Sequence, residues 1–435
     1  MPQRSARRFA LAAAAAGGAV VVLAPAAPAM GGPAAARRPA PVAYVANLVS
    51  GTVSRIRLGA ARAEPPVRLG RRSGPFDIAA APGGRTIWVA DIGNGTVTPV
   101  STRTGRAGRP VHVPAQPDEL AVAPDGKTVW VASQIDGNNQ TPGRVTPIST
   151  ATGRAGQPIR VGIDPGPLVI SPDSRTVYLA TAGLDNQTLA GNLTVISART
   201  DRVRRVLTGF DPDDMALGRG GRMLYIAYEQ GADEQGADEQ GTVIPIRTAT
   251  LRPGRPIRLA GFLQQLILGP GGRALYVLND SGRLSRISLP ADRVTWSART
   301  APLPTTMGLA PDGRSLYVLG LRRNQRPGYV VPVSTSSGAA GHRIAVGRAP
   351  IAIAFGPGGR TAYVLCSPYR LTGDRLKFGI GSVFPVILAT GRSGQPVPTG
   401  RGSLSIAIVP GTSYQPAGAG RIAAGWPAAG RQPEK

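Results

Sequence analysis

Pro117-Asp118-Glu119-Leu120-Ala121-Val122-Ala123-Pro124, then Asp125-Gly126-Lys127, then Thr128-Val129-Trp130-Val131-Ala132, reads as an apolar strand, a tight turn and a second strand built around an aromatic residue. The octad at its head recurs at 75–82, 165–172, 212–219, 263–270, 304–311, 350–357 and 403–410. Its centre is apolar at consecutive positions, as in Ile353-Ala354-Phe355 and Ile406-Ala407-Ile408, so this strand is covered on both faces. That places it innermost. The aromatic strand recurs at Tyr44, Trp88, Trp130, Tyr178, Tyr225, Tyr276, Tyr317 and Tyr363, with gaps of 41 to 51 residues. Self-similarity at this spacing means modules that bury their apolar faces only against one another.

The turn between the two strands carries a basic residue at Arg85, Lys127, Arg175, Arg222, Arg273, Arg314 and Arg360. Its Pro, Asp and Gly residues specify a tight hairpin. A third strand starts at Gly51, Gly95, Gly143, Gly191, Gly241, Gly282, Gly328 and Gly381. Pro99, Pro147, Pro245, Pro332 and Pro385 follow four residues on in five of these, which places that part of the sheet toward the rim. A Thr-Gly-Arg hairpin, as at Thr152-Gly153-Arg154, leads to a short fourth strand such as 158–161.

Four antiparallel strands repeated radially make the blade of a β-propeller, and the expected fold is all-β with eight four-stranded blades. Seven blades would require one unit to be displaced from the ring. The chain enters at an aromatic strand, 42–47, with no octad before it, and leaves with an octad, 403–410, that has no aromatic strand after it. Pairing the C-terminal inner strand with the three N-terminal strands closes the ring and removes both sheet edges.

The tetrapeptides Tyr44-Val45-Ala46-Asn47, Trp88-Val89-Ala90-Asp91 and Tyr178-Leu179-Ala180-Thr181, the last two preceded by the Pro-Asp-Gly-Arg type of turn, resemble the YVTN-family β-propeller repeat over about 42–410. The resemblance implies an exported or surface propeller, in a family whose members mostly lack an assigned activity. Two departures stand out: no tetrapeptide here is Tyr-Val-Thr-Asn, and eight units exceed the seven usual in related propellers.

Residues 1–36 form a separate segment: Arg4, Arg7 and Arg8, an apolar stretch from Phe9 to Ala24, and small residues ending Ala27-Pro28-Ala29. This is the pattern of a secretory signal peptide, and Arg7-Arg8 before Phe9 and Leu11 resembles a twin-arginine export signal. The apolar stretch falls short of the ~20 residues a spanning helix needs, so after cleavage the protein is expected not to span a membrane. Residues 37–411 form the propeller and 412–435 a Gly/Pro-rich flexible tail, and the product is expected to be a monomer in the cell envelope or extracellular space. Cys366 is the one cysteine, so no intrachain disulfide forms; a half-buried inert thiol is expected.

The formal charge of +26 is carried almost wholly by arginine, with Lys127, Lys377 and Lys435 the only lysines. Such a balance suggests anionic partners. Composition rich in Ala, Gly, Pro and Arg also arises from GC-rich codons with no functional demand. Strand parity assigns the basic turn residues, with Arg103, Arg106, Arg154, Arg199, Arg202, Arg252 and Arg392, to one hairpin face.

On the opposite face, positions two and three of the octads ring the channel mouth: Asp77, Asp118, Glu119, Asp213, Asp214, Gln264, Gln265, Thr305, Thr306 and Ser405. Asp233, Glu234, Asp238 and Glu239 of a duplicated loop fall on the same side. Oxygen-rich convergence suits a hard cation or a cationic or polyhydroxylated ligand. No cofactor is expected; calcium is the candidate metal, with Asp77, Asp118 and Asp214 as its candidate ligands. Acids that cap strand starts and stay solvated give the same pattern.

His112 and His342 are the only histidines, both near fourth strands, which leaves no imidazole for the mouth and argues against a Ser-His-Asp triad or a His-metal centre. No phosphate loop or nucleophile elbow is present. The reading is therefore an exported non-enzymatic binding or interaction module, with a protein, a carbohydrate or an anionic envelope polymer as partner. Nucleic acid is not expected, because aromatics are spent in cores rather than displayed for stacking. A metal-dependent hydrolase of lactonase type, using the acidic mouth to activate water, is the alternative.

Overall fold

The computed structural model describes residues 22–23, 41–135, 141–181, 191–209, 212–218, 220–230, 240–289, 291–322, 326–372, 375–409 and 413–414. Eight sheets of four strands are arranged as the blades of a β-propeller. Blade 1 joins the chain ends in the order Ser403–Val409, Val42–Asn47, Thr52–Arg57, Arg62–Arg68, from innermost outward. Its register sets Tyr44 opposite Ala407 and Val45 opposite Ile406, the closure expected from the order of the pieces.

Blades 2 to 8 follow in chain order, their inner strands at Pro75–Ala80, Gln116–Val122, Pro165–Ile170, Pro212–Leu217, Leu263–Leu268, Pro304–Leu309 and Pro350–Phe355. The last is buried along its whole length, as the unbroken apolar run requires. Between inner and second strands the turn closes tightly: the Gly126 N–H donates to Ala123 O at 2.8 Å, with Gly126 at φ +73°, a conformation that glycine adopts without a Cβ penalty. The core lies in layers between neighbouring blades, with Trp130 and Tyr44 among its largest fully buried side chains.

The prolines of the third strand decide the fate of the fourth. Pro99, Pro147, Pro245, Pro332 and Pro385 each accept, through the carbonyl, an N–H from a glycine nine residues on, at 2.7–2.8 Å. In an antiparallel ladder a residue's N–H and C=O point to the same neighbour, so each proline withholds its donor from the outermost strand. In blades 2 and 3 that strand shrinks to Val111–His112 and Ile159–Arg160, shorter than the four residues expected in blade 3. It breaks into two pieces in blades 5 and 8, and in blade 7 one part survives only as the Val333–Ala340 bridge. Blades 1, 4 and 6, which lack the proline, keep continuous outer strands: Arg62–Arg68, Arg202–Thr208 and Arg293–Arg299.

Blade 8 carries an addition that the repeat did not foreshadow. Between its second strand, Thr361–Cys366, and third, Ile380–Ile387, a separate hairpin pairs Tyr369–Thr372 with Arg375–Phe378. A further antiparallel pair joins Val22–Leu23 to Ser413–Tyr414. The remainder of the 1–36 segment and of the 412–435 tail, with Asp233, Glu234, Asp238 and Glu239, lies outside the described residues. Among the described residues no helix is long and apolar enough to cross a membrane.

Candidate functional site

Every inner strand is bulged at the channel mouth. The register against the second strand skips at Pro75/Asp77, Pro117/Glu119, Pro165/Leu168, Pro212/Asp214, Leu263/Gln265, Pro304/Thr306, Pro350/Ala352 and Ser403/Ser405. The octad's second residue is the extra one, and a bulge re-aims the side chain that follows it. In five blades position three then reaches along the ring to the next inner strand, and in blade 7 position two does so.

Asp77 of blade 2 accepts the Leu120 N–H of blade 3 on Oδ2 at 3.3 Å, its own neighbour's Ile78 N–H on Oδ1 at 2.8 Å, and the Ser405 hydroxyl of blade 1 on Oδ1 at 2.9 Å. Glu119 Oε1 accepts the Leu168 N–H of blade 4 at 2.9 Å. Asp214 accepts the Leu266 N–H of blade 6 at 2.6 Å and the Met215 N–H at 2.8 Å. Gln265 Oε1 accepts the Met307 N–H of blade 7 at 2.7 Å and the Thr306 hydroxyl at 3.0 Å. The Thr305 hydroxyl donates to Pro350 O of blade 8 at 2.7 Å. At the remaining two junctions position three is Pro167 or Ala352, neither of which has a side-chain polar atom to offer.

The ring residues expected to meet a ligand therefore divide. Asp77, Asp214, Gln265, Thr306 and Ser405 are buried and spend their polar atoms on neighbouring blades. Asp118, Glu119, Asp213, Gln264 and Thr305 are half-buried. Of these, Gln264 has its Oε1 buried with no hydrogen-bond partner. Desolvation pushes the Asp214 carboxyl well above the ordinary range, against the pull of the Leu266 and Met215 N–H groups. Burial raises Asp77 too, opposed by the Ser405 hydroxyl and the Ile78 and Leu120 amides. Among the described residues no three His, Cys, Asp or Glu side chains converge to hold a metal ion, so Asp77, Asp118 and Asp214 are not brought together as a calcium site.

On the other face each basic turn residue is exposed, from Arg85 through Lys127, Arg175, Arg222, Arg273 and Arg314 to Arg360. So are Arg103, Arg106, Arg154, Arg199, Arg202, Arg252 and Arg392. Between inner and second strands three turn carboxylates are aimed at backbone: Asp125, Asp173 and Asp312 each accept the N–H of the basic residue two positions on, at 2.9–3.1 Å. The ion pairs among the described residues, Arg55 and Arg57 with Glu64, flank the third-to-fourth-strand hairpin of blade 1 on this same face, with the Arg55 guanidinium against Gly105. Underneath, Thr102, Thr150, Thr248 and Thr335 tie the paired turns together by donating to Gly84, Gly126, Gly221 and Gly313 carbonyls at 2.6–2.8 Å.

His112 and His342 are exposed at the rim. Cys366 is buried, and burial drives its thiol far above the ordinary range. The fourth residue of the aromatic tetrapeptide has a role that sequence reasoning missed. Asp91 accepts N–H bonds from Gly74, Gly93 and Asn94 at 2.6–3.2 Å and the Ser73 hydroxyl at 2.6 Å, binding the loop that arrives from the previous blade. Asn47 holds Gly400 and Ser403 in the same way, at 3.1 and 2.8 Å.

No family model matches the sequence, and no curated protein matches it. Solved structures do. A hydrazine synthase chain from Kuenenia stuttgartiensis aligns with a TM-score of 0.52 at 18% identity, over 71% of this chain and 99% of that one. The dihydro-heme d1 dehydrogenase NirN, solved in complex with DHE, aligns with a TM-score of 0.65 at 15% identity, over 89% and 79%. A functionally unknown protein from Desulfotomaculum acetoxidans aligns with a TM-score of 0.51 at 12% identity, over 84% and 98%. At such identities the likeness is one of fold, and fold alone does not carry chemistry.

Proposed function

We propose that the protein is an exported, non-enzymatic binding module whose hairpin face holds an anionic polymer of the cell envelope. One observation carries this reading: the hairpin face displays the arginines of successive blades, all exposed, which outnumber the exposed acids Asp201 and Asp292 of its outer hairpins, while Asp125, Asp173 and Asp312 of its inner turns accept from backbone amides. Arginine guanidinium groups match phosphate, sulfate and carboxylate oxygens in a bidentate fork, and a ring of them presents many such forks to one polymer. Export rests on the Arg7-Arg8 and Phe9–Ala24 pattern, and the tetrapeptide resemblance agrees with it. Mass spectrometry of the protein recovered from its producing cells would locate the cleaved N-terminus.

Binding to immobilised dextran sulfate, weakening steeply with added salt, tests the polymer reading. Replacing Arg85, Arg175, Arg314 and Arg360 by serine should lower the affinity and flatten the salt dependence. Unchanged binding in that variant would remove the hairpin face as the site. The hydrolase alternative requires carboxylates free to hold a divalent ion, whereas Asp77 and Asp214 are engaged by backbone amides of adjoining blades.

A further inference from the structure

We propose that the channel-mouth face, opposite the hairpin face, docks on an anionic lipid surface at the edge where blade 8 meets blade 1. The patch is continuous through backbone pairing. Arg370 stands directly opposite Lys377 in the added hairpin, and both are exposed. Phe378, the next residue, is buried, so the hairpin has an apolar inner side and a basic outer one. The Phe378 carbonyl accepts from Arg401 Nε and Nη2 at 3.3 and 3.1 Å. Arg401 pairs across the sheet with Ile380, and its own carbonyl accepts the Val49 N–H at 3.1 Å. Ile380 is 65% exposed and Val49 51%, the two most exposed large apolar residues among those described.

Three features of this patch require an explanation. Like charges directly opposite on a two-stranded hairpin repel, and a two-stranded hairpin has little stability to spare. No carboxylate stands among the described residues of the 367–380 segment; Asp374, in its turn, lies outside them. The two aliphatic side chains are also exposed, on residues tied through backbone to Arg401. An anionic bilayer answers all three: phosphates neutralise Arg370, Lys377 and Arg401, while Ile380 and Val49 enter the boundary between headgroups and acyl chains. This surface is separate from the hairpin face, and its partner is not the polymer proposed there.

Co-sedimentation of the full chain with vesicles tests it. Binding is expected to vesicles containing phosphatidylglycerol and not to pure phosphatidylcholine, and to fall as salt rises. Replacing Arg370 and Lys377 by serine, or Ile380 and Val49 by serine, should reduce it about tenfold or more, while dextran sulfate binding stays unchanged. Replacing Arg85 and Arg314 by serine should leave vesicle binding as it was. A fluorophore on an Ile380→Cys variant should shift to the blue with anionic vesicles alone, a readout from protein whose patch cations are all intact. Equal binding to neutral vesicles, no binding at all, or insensitivity to both double variants would overturn the proposal, as would an unshifted fluorophore.

Discussion

The Ser405 hydroxyl donates to the Asp77 carboxylate at 2.9 Å across 328 residues of chain. It joins the strand that completes blade 1 to the first strand of blade 2, so the closing element is tied sideways as well as paired within its own sheet. Replacing Asp77 by alanine leaves the Ile78 and Leu120 amides without the carboxylate they donate to. At about 1–3 kcal/mol for each of these two buried groups left unsatisfied, the loss should total about 2–6 kcal/mol. Chemical denaturation should show a lower midpoint at unchanged slope; a midpoint equal to the parent's would show that the clasp contributes no stability.

Asp214 should imprint itself on the pH dependence. Its folded pKa is raised, mainly by burial, so between the unfolded value of 3.8 and the folded one the native state binds more protons than the unfolded. The stabilising contribution of the protonated carboxyl is complete below that unfolded value and is lost as pH rises through the folded one. The penalty of Asp214→Ala is therefore expected to be largest in acid and to shrink toward neutrality. Thermal unfolding of both proteins across that range measures it, and a penalty that grows with pH would contradict the assignment.

Asp91 is fully buried and accepts from Ser73, Gly74, Gly93 and Asn94. Alanine there should cost about 3 kcal/mol or more, since several buried donors lose one acceptor together. Hydrogen exchange should accelerate first at the Gly74 and Gly93 amides. Protection unchanged at both would mean that the crossover holds its shape without the carboxylate.

The thiol of Cys366 should be silent in the native protein. It is 1% exposed, and desolvation suppresses its thiolate. A thiol reagent at mildly alkaline pH should label it only as fast as the ring opens, and at full rate in denaturant. Prompt labelling of the folded protein would show that blade 8 opens locally.

The blades were legible because burial on both faces of a strand leaves an unbroken apolar run, and the octad shows it at Ile353-Ala354-Phe355. Closure was legible because the two incomplete units at the ends complement each other. The purpose of position three was not. Asp77, Glu119, Asp214, Gln265, Thr306 and Ser405 look like a ligand ring when each octad is taken alone. The bulge beside them, which aims them at the adjoining blade, depends on the second strand's register. One signal was present: position three is polar in six octads and loses that character only at Pro167 and Ala352, a regularity that suits a structural role. The hairpin of blade 8 also left a trace, since Tyr369 and Leu371 alternate with polar residues on one side of Gly373, and Leu376 and Phe378 on the other.

The five third-strand prolines have a consequence at the periphery of the disc. An uninterrupted outermost strand offers its free amides and carbonyls to any extended chain that drifts past, including another copy of the same protein. Blades 2, 3, 5, 7 and 8 offer only shorter pieces of such a strand, of five residues at most. Of the three that offer it whole, blade 1 places Pro65 and Pro66 along it, blade 4 lines it with Arg202, Arg204 and Arg205, and blade 6 ends it with Arg293 and Arg299. A crowded solution of these discs should accordingly resist fibril growth, each rim repelling its neighbour before a shared sheet can begin.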